Sequence, residues 1–248
     1  MKKEKLPELS LLDHLNELRQ RIIHCLIFFL ISFIFCYSFK NEIYNLITYP
    51  LLQTIQSSHI QSKLIYTKIT ENFISTFSIV TFASFFVSIP YWAIELWIFI
   101  TPALYKDEKK RFFPYIFLIP LLFLCGVVFC YFLILPPAFE FFINFGQEGR
   151  LLPLSLQAKI TDYIDLTTSL LNAFGMCFLT PIFLILLVKL NILRRETLKK
   201  NRKYAIVLIF TISAILTPPD VLSQILLAIP LIFMYEISII LSKNNNKI

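Results

Sequence analysis

Six apolar segments decide what this chain can fold into: residues 22–39, 73–100, 112–135, 164–190, 204–216 and 221–241. A hydrocarbon core about 30 Å thick is crossed by about 20 apolar residues in a helix, which satisfies its own backbone hydrogen bonds within one segment. The rest of the composition agrees. Of 248 residues 57% are hydrophobic and 16% charged, and the mean hydropathy is +0.71. A water-soluble domain is roughly 45–50% apolar and about 25% charged, and one as apolar as this would expose large adhesive patches. The sequence predicts an all-α membrane protein of six transmembrane helices. It reads as one integral membrane domain over 1–248: a cytoplasmic amphipathic segment at 1–21, a membrane bundle at 22–241 and a cytoplasmic tail at 242–248.

The first segment does not read as a cleavable signal, because 21 polar and amphipathic residues precede it and no small-x-small site follows. In that preceding stretch Leu11, Leu15, Leu18 and Ile22 recur at helical spacing with Leu12 beside them. Ser10 and Asp13 form a capping-box-like start. The expectation is a helix lying along the membrane interface.

The fifth and sixth spans are short. Residues 204–216 give roughly 20 Å of helix at about 1.5 Å per residue. Only Thr217, Pro218, Pro219 and Asp220 separate them from the sixth span, a geometry expected to thin the surrounding bilayer.

Lysine and arginine set the expected orientation. Of the 23, 18 fall on the N-terminal segment, the loops 101–111 and 189–203, and the C-terminal tail; the alternate loops carry five. Both termini are therefore expected in the cytoplasm, and the net charge of +7 is mostly topology, with no call for nucleic acid.

Little in the sequence suggests catalysis. Four glycines do not form a phosphate-cradling loop. Cys25, Cys36, Cys125, Cys130 and Cys177 lie in apolar stretches without a C-x-x-C pair and read as small apolar packers. His14, His24 and His59 fall at different levels, so no metal or haem set assembles. The expectation is a protein that is not an enzyme and holds no metal or cofactor.

The acids are more informative, since on the basic side they oppose the local charge. Glu17 stands four residues before Arg21, the plain reading being an i, i+4 pair. Asp107 and Glu108 sit in a short loop that reads plainly as a solvated hairpin. Glu95 and Glu236 lie one or two turns inside span ends, where burying an acid is expensive and suggests use. Near the other end of the last span, Gln224 reads as an interhelical hydrogen-bonding group and Asp220 as a helix N-cap.

Three runs in register resemble the TatC family, the signal-reading subunit of the twin-arginine protein export system. They are HLNELRQR from His14 to Arg21, WIFITPALY from Trp97 to Tyr105 followed by Lys106, Asp107, Glu108 and Lys109, and LTPPDVLSQ from Leu216 to Gln224 running on to Pro230 and Glu236. Tyr49-Pro50-Leu51 and Tyr131-Phe132 also fit.

The resemblance implies that Glu17 and Glu108 receive the paired arginines of a signal peptide, with Arg19 and Phe99 as further members of the signal-peptide-binding motif. It marks Gln224, Asp220, Glu236, Pro50 and Tyr131 as polar or packing positions. It further implies twin-arginine precursors and small single-span subunits of the TatA/TatB type as partners, self-association in the lipid bilayer, and transport of folded proteins driven by the proton-motive force. The implied location is the bacterial inner membrane, with the mitochondrial inner membrane as the alternative.

One position departs from the pattern. Where the family commonly has Glu or Gln in its fourth span, this chain has Leu179, in the run Phe174-Gly175-Met176-Cys177-Phe178-Leu179-Thr180-Pro181. A small-solute secondary transporter is the alternative function. That class predicts internal repeats and ionisable residues near the midplane; no repeat is seen, and the acids cluster at span ends.

Overall fold

The computed structural model describes residues 11–57, 65, 68–103, 109, 113–145, 159–189, 192–216 and 221–242. Glu108 and Asp220 lie outside them, as does His59. The described chain is nearly all helix. Its elements are α1 (Leu11–Ser38), α2 (Lys40–Ser57), α3 (Glu71–Ile100), α4 (Pro114–Phe129), α5 (Leu135–Phe145), α6 (Ile160–Phe178), α7 (Thr180–Lys189), α8 (Arg195–Lys200), α9 (Arg202–Leu216) and α10 (Val221–Leu241).

Among the described residues five stretches are long and apolar enough to cross a membrane: Leu12–Ser38, Glu71–Ile100, Pro114–Ile143, Ile160–Lys189 and Gln224–Leu241. The short fifth span of the sequence is α9, with 15 residues. It begins two residues earlier than the hydropathy suggests, because Arg202 is held by an acid on α10 instead of ending the helix.

The amphipathic stretch from Leu11 is helical as expected, and it runs without a break into the first span as one 28-residue helix. No Gly or Pro interrupts α1, and Asp13 in its first turn complements the helix dipole. Nothing in this sequence makes a corner between an interfacial helix and a span.

The contacts divide the chain into two compact units, each described by itself. The first comprises α1, the later part of α3 from Val80, and the start of α4. Trp92 donates its indole N–H to the Cys25 carbonyl at 3.2 Å, and Phe28 stacks on Tyr91 at 4.3 Å. These two contacts fix the register of α1 on α3.

The second unit holds α2, the beginning of α3, the end of α4, and α5 to α10. Its α4–α6 contact depends on two glycines. A Cβ on Gly126 would stand 2.5 Å from the Phe174 carbonyl oxygen, and one on Gly175 would clash with the edge of the Phe123 ring. Small residues let helix backbones approach this closely in membranes.

Proline shapes several elements. Pro136 and Pro137 have no N–H to offer a preceding carbonyl. Immediately before them Cys130–Ile134 widens into a π-helical turn, with the Leu135 N–H reaching Cys130. Pro181 opens α7, where a missing N–H costs least. The preceding turn tightens at Leu179, whose N–H meets the Met176 carbonyl at 3.0 Å.

α2 lies in a stretch that reads from the sequence as an external loop. Ile47, Leu51 and Thr54 are buried at helical spacing. Pro50 within it leaves the Leu46 carbonyl without its usual donor four residues on. Tyr131 supplies one, donating its hydroxyl to that oxygen at 2.7 Å, and Tyr163 donates to the next carbonyl, Ile47, at 2.6 Å.

The two motif residues Pro50 and Tyr131 are thus one device. Tyr131→Phe is expected to lower stability by about 0.5–1.5 kcal/mol, and by less in a Pro50→Ala background, where residue 50 regains the N–H. A thermal-unfolding double-mutant cycle in detergent checks this; additive losses would sink the coupling.

Most hydroxyls within the spans bond to their own helix. Ser84, Ser88, Thr167, Thr168 and Ser238 each donate to the carbonyl four residues back, at 2.6–2.8 Å.

Candidate functional site

In the first unit the site is built where α1 crosses the C-terminal end of α3. Glu95 is buried, with 7% of its side chain accessible, inside a helix of spanning length. An isolated carboxylate there would be very costly, so it is surrounded by donors. The Tyr91 hydroxyl donates to Oε1 at 2.7 Å, and Arg21 Nη1 donates to Oε2 at 2.9 Å. His24 Nδ1 stands 3.6 Å from Oε1. Tyr91 lies one turn before Glu95, so α3 itself supplies one partner.

Arg21 uses its fork twice. Its Nη2 reaches Glu17 Oε1 at the longer distance of 3.5 Å, and both of those side chains keep about a quarter of their surface, 26% and 25%. Glu17 and Arg21 face the same way because they are four residues apart on α1. One turn nearer the helix start, His14 stacks on Phe99 at 4.4 Å, with the rings 15° from parallel.

Beside the cluster an apolar groove of about 620 Å³ is lined by Leu18, Leu26, Phe29, Phe85, Trp92 and Leu96, with Arg21 and Glu95 at its polar edge. The first unit therefore assembles Glu17 and Phe99 of the sequence motifs around a residue, Glu95, which the sequence marked only as an acid inside an apolar run. Arg19 is exposed and takes no part in this cluster. The contact missed from the sequence is Arg21 to Glu95, 74 residues apart. Its only signal was that an acid in a span requires a cation.

The other motif residues lie in the second unit. Glu236 pairs with Arg202 Nη2 at 2.8 Å across α9 and α10, both side chains substantially exposed. Gln224 donates to the Phe210 carbonyl at 3.1 Å, and Tyr235 to the Leu198 carbonyl at 2.9 Å. Arg195 adds a bond from Nε to the Ile239 carbonyl at 2.9 Å. Leu179 is half-buried at the α6–α7 turn.

Spans of this length, with a buried acid held by an arginine and a tyrosine beside an apolar groove, define a multi-pass membrane protein with a charged cluster at the end of one span. The model of the family "Sec-independent protein translocase protein (TatC)" matches residues 13–230. The Sec-independent protein translocase protein TatC of Rickettsia prowazekii (strain Madrid E) is 40% identical over 232 residues, covering 94% of this chain and 92% of that protein. The TatC of Escherichia coli (strain K12) is 35% identical over 233 residues, covering 94% and 88%. Among solved structures, the twin arginine translocase receptor TatC superposes with a TM-score of 0.81 at 36% identity, covering 93% of this chain and 98% of that one. The same receptor in DDM gives 0.83 at 37% identity.

The chain belongs to the TatC family. It is a protein-translocation component that works with other Tat subunits, and not an enzyme.

Proposed function

We propose that this chain receives twin-arginine signal peptides on the cytoplasmic side of the bacterial inner membrane, with both of its termini on that side. Glu17 and Glu108 accept the two guanidinium groups, and Arg19 and Phe99 complete the receiving surface. Carboxylate and guanidinium pair bidentately, a geometry that lysine does not reproduce. The observation that carries this reading is the Glu17–Arg21–Glu95 chain. A guanidinium already sits against Glu17 there, but at 3.5 Å, so the carboxylate keeps bonding capacity beside an apolar groove. An arginine pair followed by an apolar helix matches those two features in order.

Small single-span subunits of the TatA/TatB type are the proposed partners for assembly, with self-association of this subunit, and the proton-motive force drives transport of the folded cargo. Gln224, Asp220, Glu236, Pro50 and Tyr131 belong to the packing and partner surfaces. Because Gln224 already bonds the Phe210 carbonyl and position 179 is Leu, docking of a small subunit near the α6–α7 turn rests mainly on packing.

The test is binding of a labelled twin-arginine precursor to the full chain in nanodiscs. Glu17→Gln and Glu108→Gln are each expected to weaken it about ten- to a hundredfold, the loss of one charged hydrogen bond of about 1.5–3 kcal/mol. Unchanged binding in the double variant would return both acids to a purely structural role.

A further inference from the structure

We propose that Glu95 is a positioning residue for peptide recognition: by holding Arg21 against α3, it leaves the excess negative charge of the cluster on Glu17. This rests on the reading of Glu17 as an arginine acceptor and adds the element that keeps it available. Arg21 is in reach of two carboxylates but is shared unequally, at 2.9 Å from Glu95 and 3.5 Å from Glu17. The buried acid has the stronger claim. Water screens the quarter-exposed Glu17 carboxylate, whereas Glu95 has lost most of its water and depends on its protein partners.

Tyr91 fixes the other Glu95 oxygen at 2.7 Å, so the carboxylate has one oxygen to offer, and it faces Arg21. Among Glu17, Glu95 and Arg21, two carboxylates and one guanidinium leave a net charge of −1, and the weaker contact places it at Glu17. An arriving arginine supplies the missing cation without having to displace Arg21.

Remove the Glu95 charge and the arrangement changes sign of purpose. Arg21 then has one carboxylate left and swings fully onto it, masking Glu17 as an internal i, i+4 pair. Affinity should therefore follow the net charge of the cluster: −1 in the native chain, 0 in Glu95→Gln, and −1 again in Glu95→Gln with Arg21→Gln. A merely structural role for Glu95 predicts the opposite for the last variant, which loses two partners of the cluster.

The experiment measures binding of a fluorescent peptide, two consecutive arginines followed by an apolar segment, to the full-length protein in nanodiscs. Glu95→Gln is expected to weaken binding about tenfold, within the coupling expected of residues in one charged network. Adding Arg21→Gln is expected to restore it to within about threefold of native. Should Glu95→Gln fail to fold, Glu95→Asp keeps the charge but draws it one methylene back from Arg21; a loss of about twofold or more, relieved by Arg21→Gln, reads the same coupling.

Glu17→Gln separates the two ideas. If it weakens binding while Glu95→Gln does not, or if the double variant binds no better than Glu95→Gln, the positioning role is overturned and the reading of Glu17 stands. If Glu17→Gln leaves binding unchanged, the reading itself fails, and the role of Glu95 with it.

Discussion

Gly126→Val is expected to leave little folded protein. The position faces the backbone of α6, where even a Cβ would stand 2.5 Å from the Phe174 carbonyl oxygen and 3.0 Å from the Phe178 Cβ. A clash with a flexible side chain is relieved by a new rotamer, but one with a carbonyl oxygen requires two helices to separate. Forced separation undoes the packing of Phe129 on Phe174 and Phe178, with ring centroids at 6.1 and 5.5 Å. Overpacked cores lose about 1–3 kcal/mol, and backbone contact places this substitution at or beyond the upper end. Gly126→Ala should fall lower in the same range. Size-exclusion profiles and thermal unfolding of the detergent-solubilised variants check the order; a Val variant as stable as native would mean that α4 and α6 are not in backbone contact.

Arg21→Leu should also cost heavily, for an electrostatic reason. It leaves Glu95 buried with a tyrosine at 2.7 Å and a histidine at 3.6 Å but no arginine. Breaking a buried pair from one side costs about 3–5 kcal/mol, and the lower end applies because Arg21 retains 26% of its side-chain surface. The discriminating measurement is the double variant Arg21→Leu with Glu95→Gln, whose thermal stability should recover most of the loss since no charge is then stranded. If the second substitution deepens the loss, Arg21 contributes by packing and not by charge.

The spans were legible in the sequence because their apolar runs are long, and the short α9 because Lys199, Lys200 and Lys203 crowd its start. α2 was not. Its buried positions Ile47, Leu51 and Thr54 are interleaved with Asn45, Tyr49 and Gln53, which dilutes any apolar run, and Pro50 speaks against a helix interior. Part of the candidate site was legible on the same grounds. Glu17 with Arg21 is a local spacing, and Glu95 is an acid where acids are expensive, but joining them requires the packing of α1 on α3. Gln224 read correctly as a hydrogen-bonding group between helices, yet its acceptor, the Phe210 carbonyl, has no side-chain signature to find.

That last case is general here. Trp92, Tyr131, Tyr163, Gln224, Tyr235 and Arg195 all reach across to main-chain oxygens, those of Cys25, Leu46, Ile47, Phe210, Leu198 and Ile239. Every residue carries such an oxygen, so each bond constrains one side chain instead of a matched pair. The accepting positions are free to drift among residues of similar bulk, whereas the donors are not. Random mutagenesis of this chain would accordingly find its polar intolerance concentrated on a few donor side chains, each facing a partner position that tolerates apolar replacements of similar bulk.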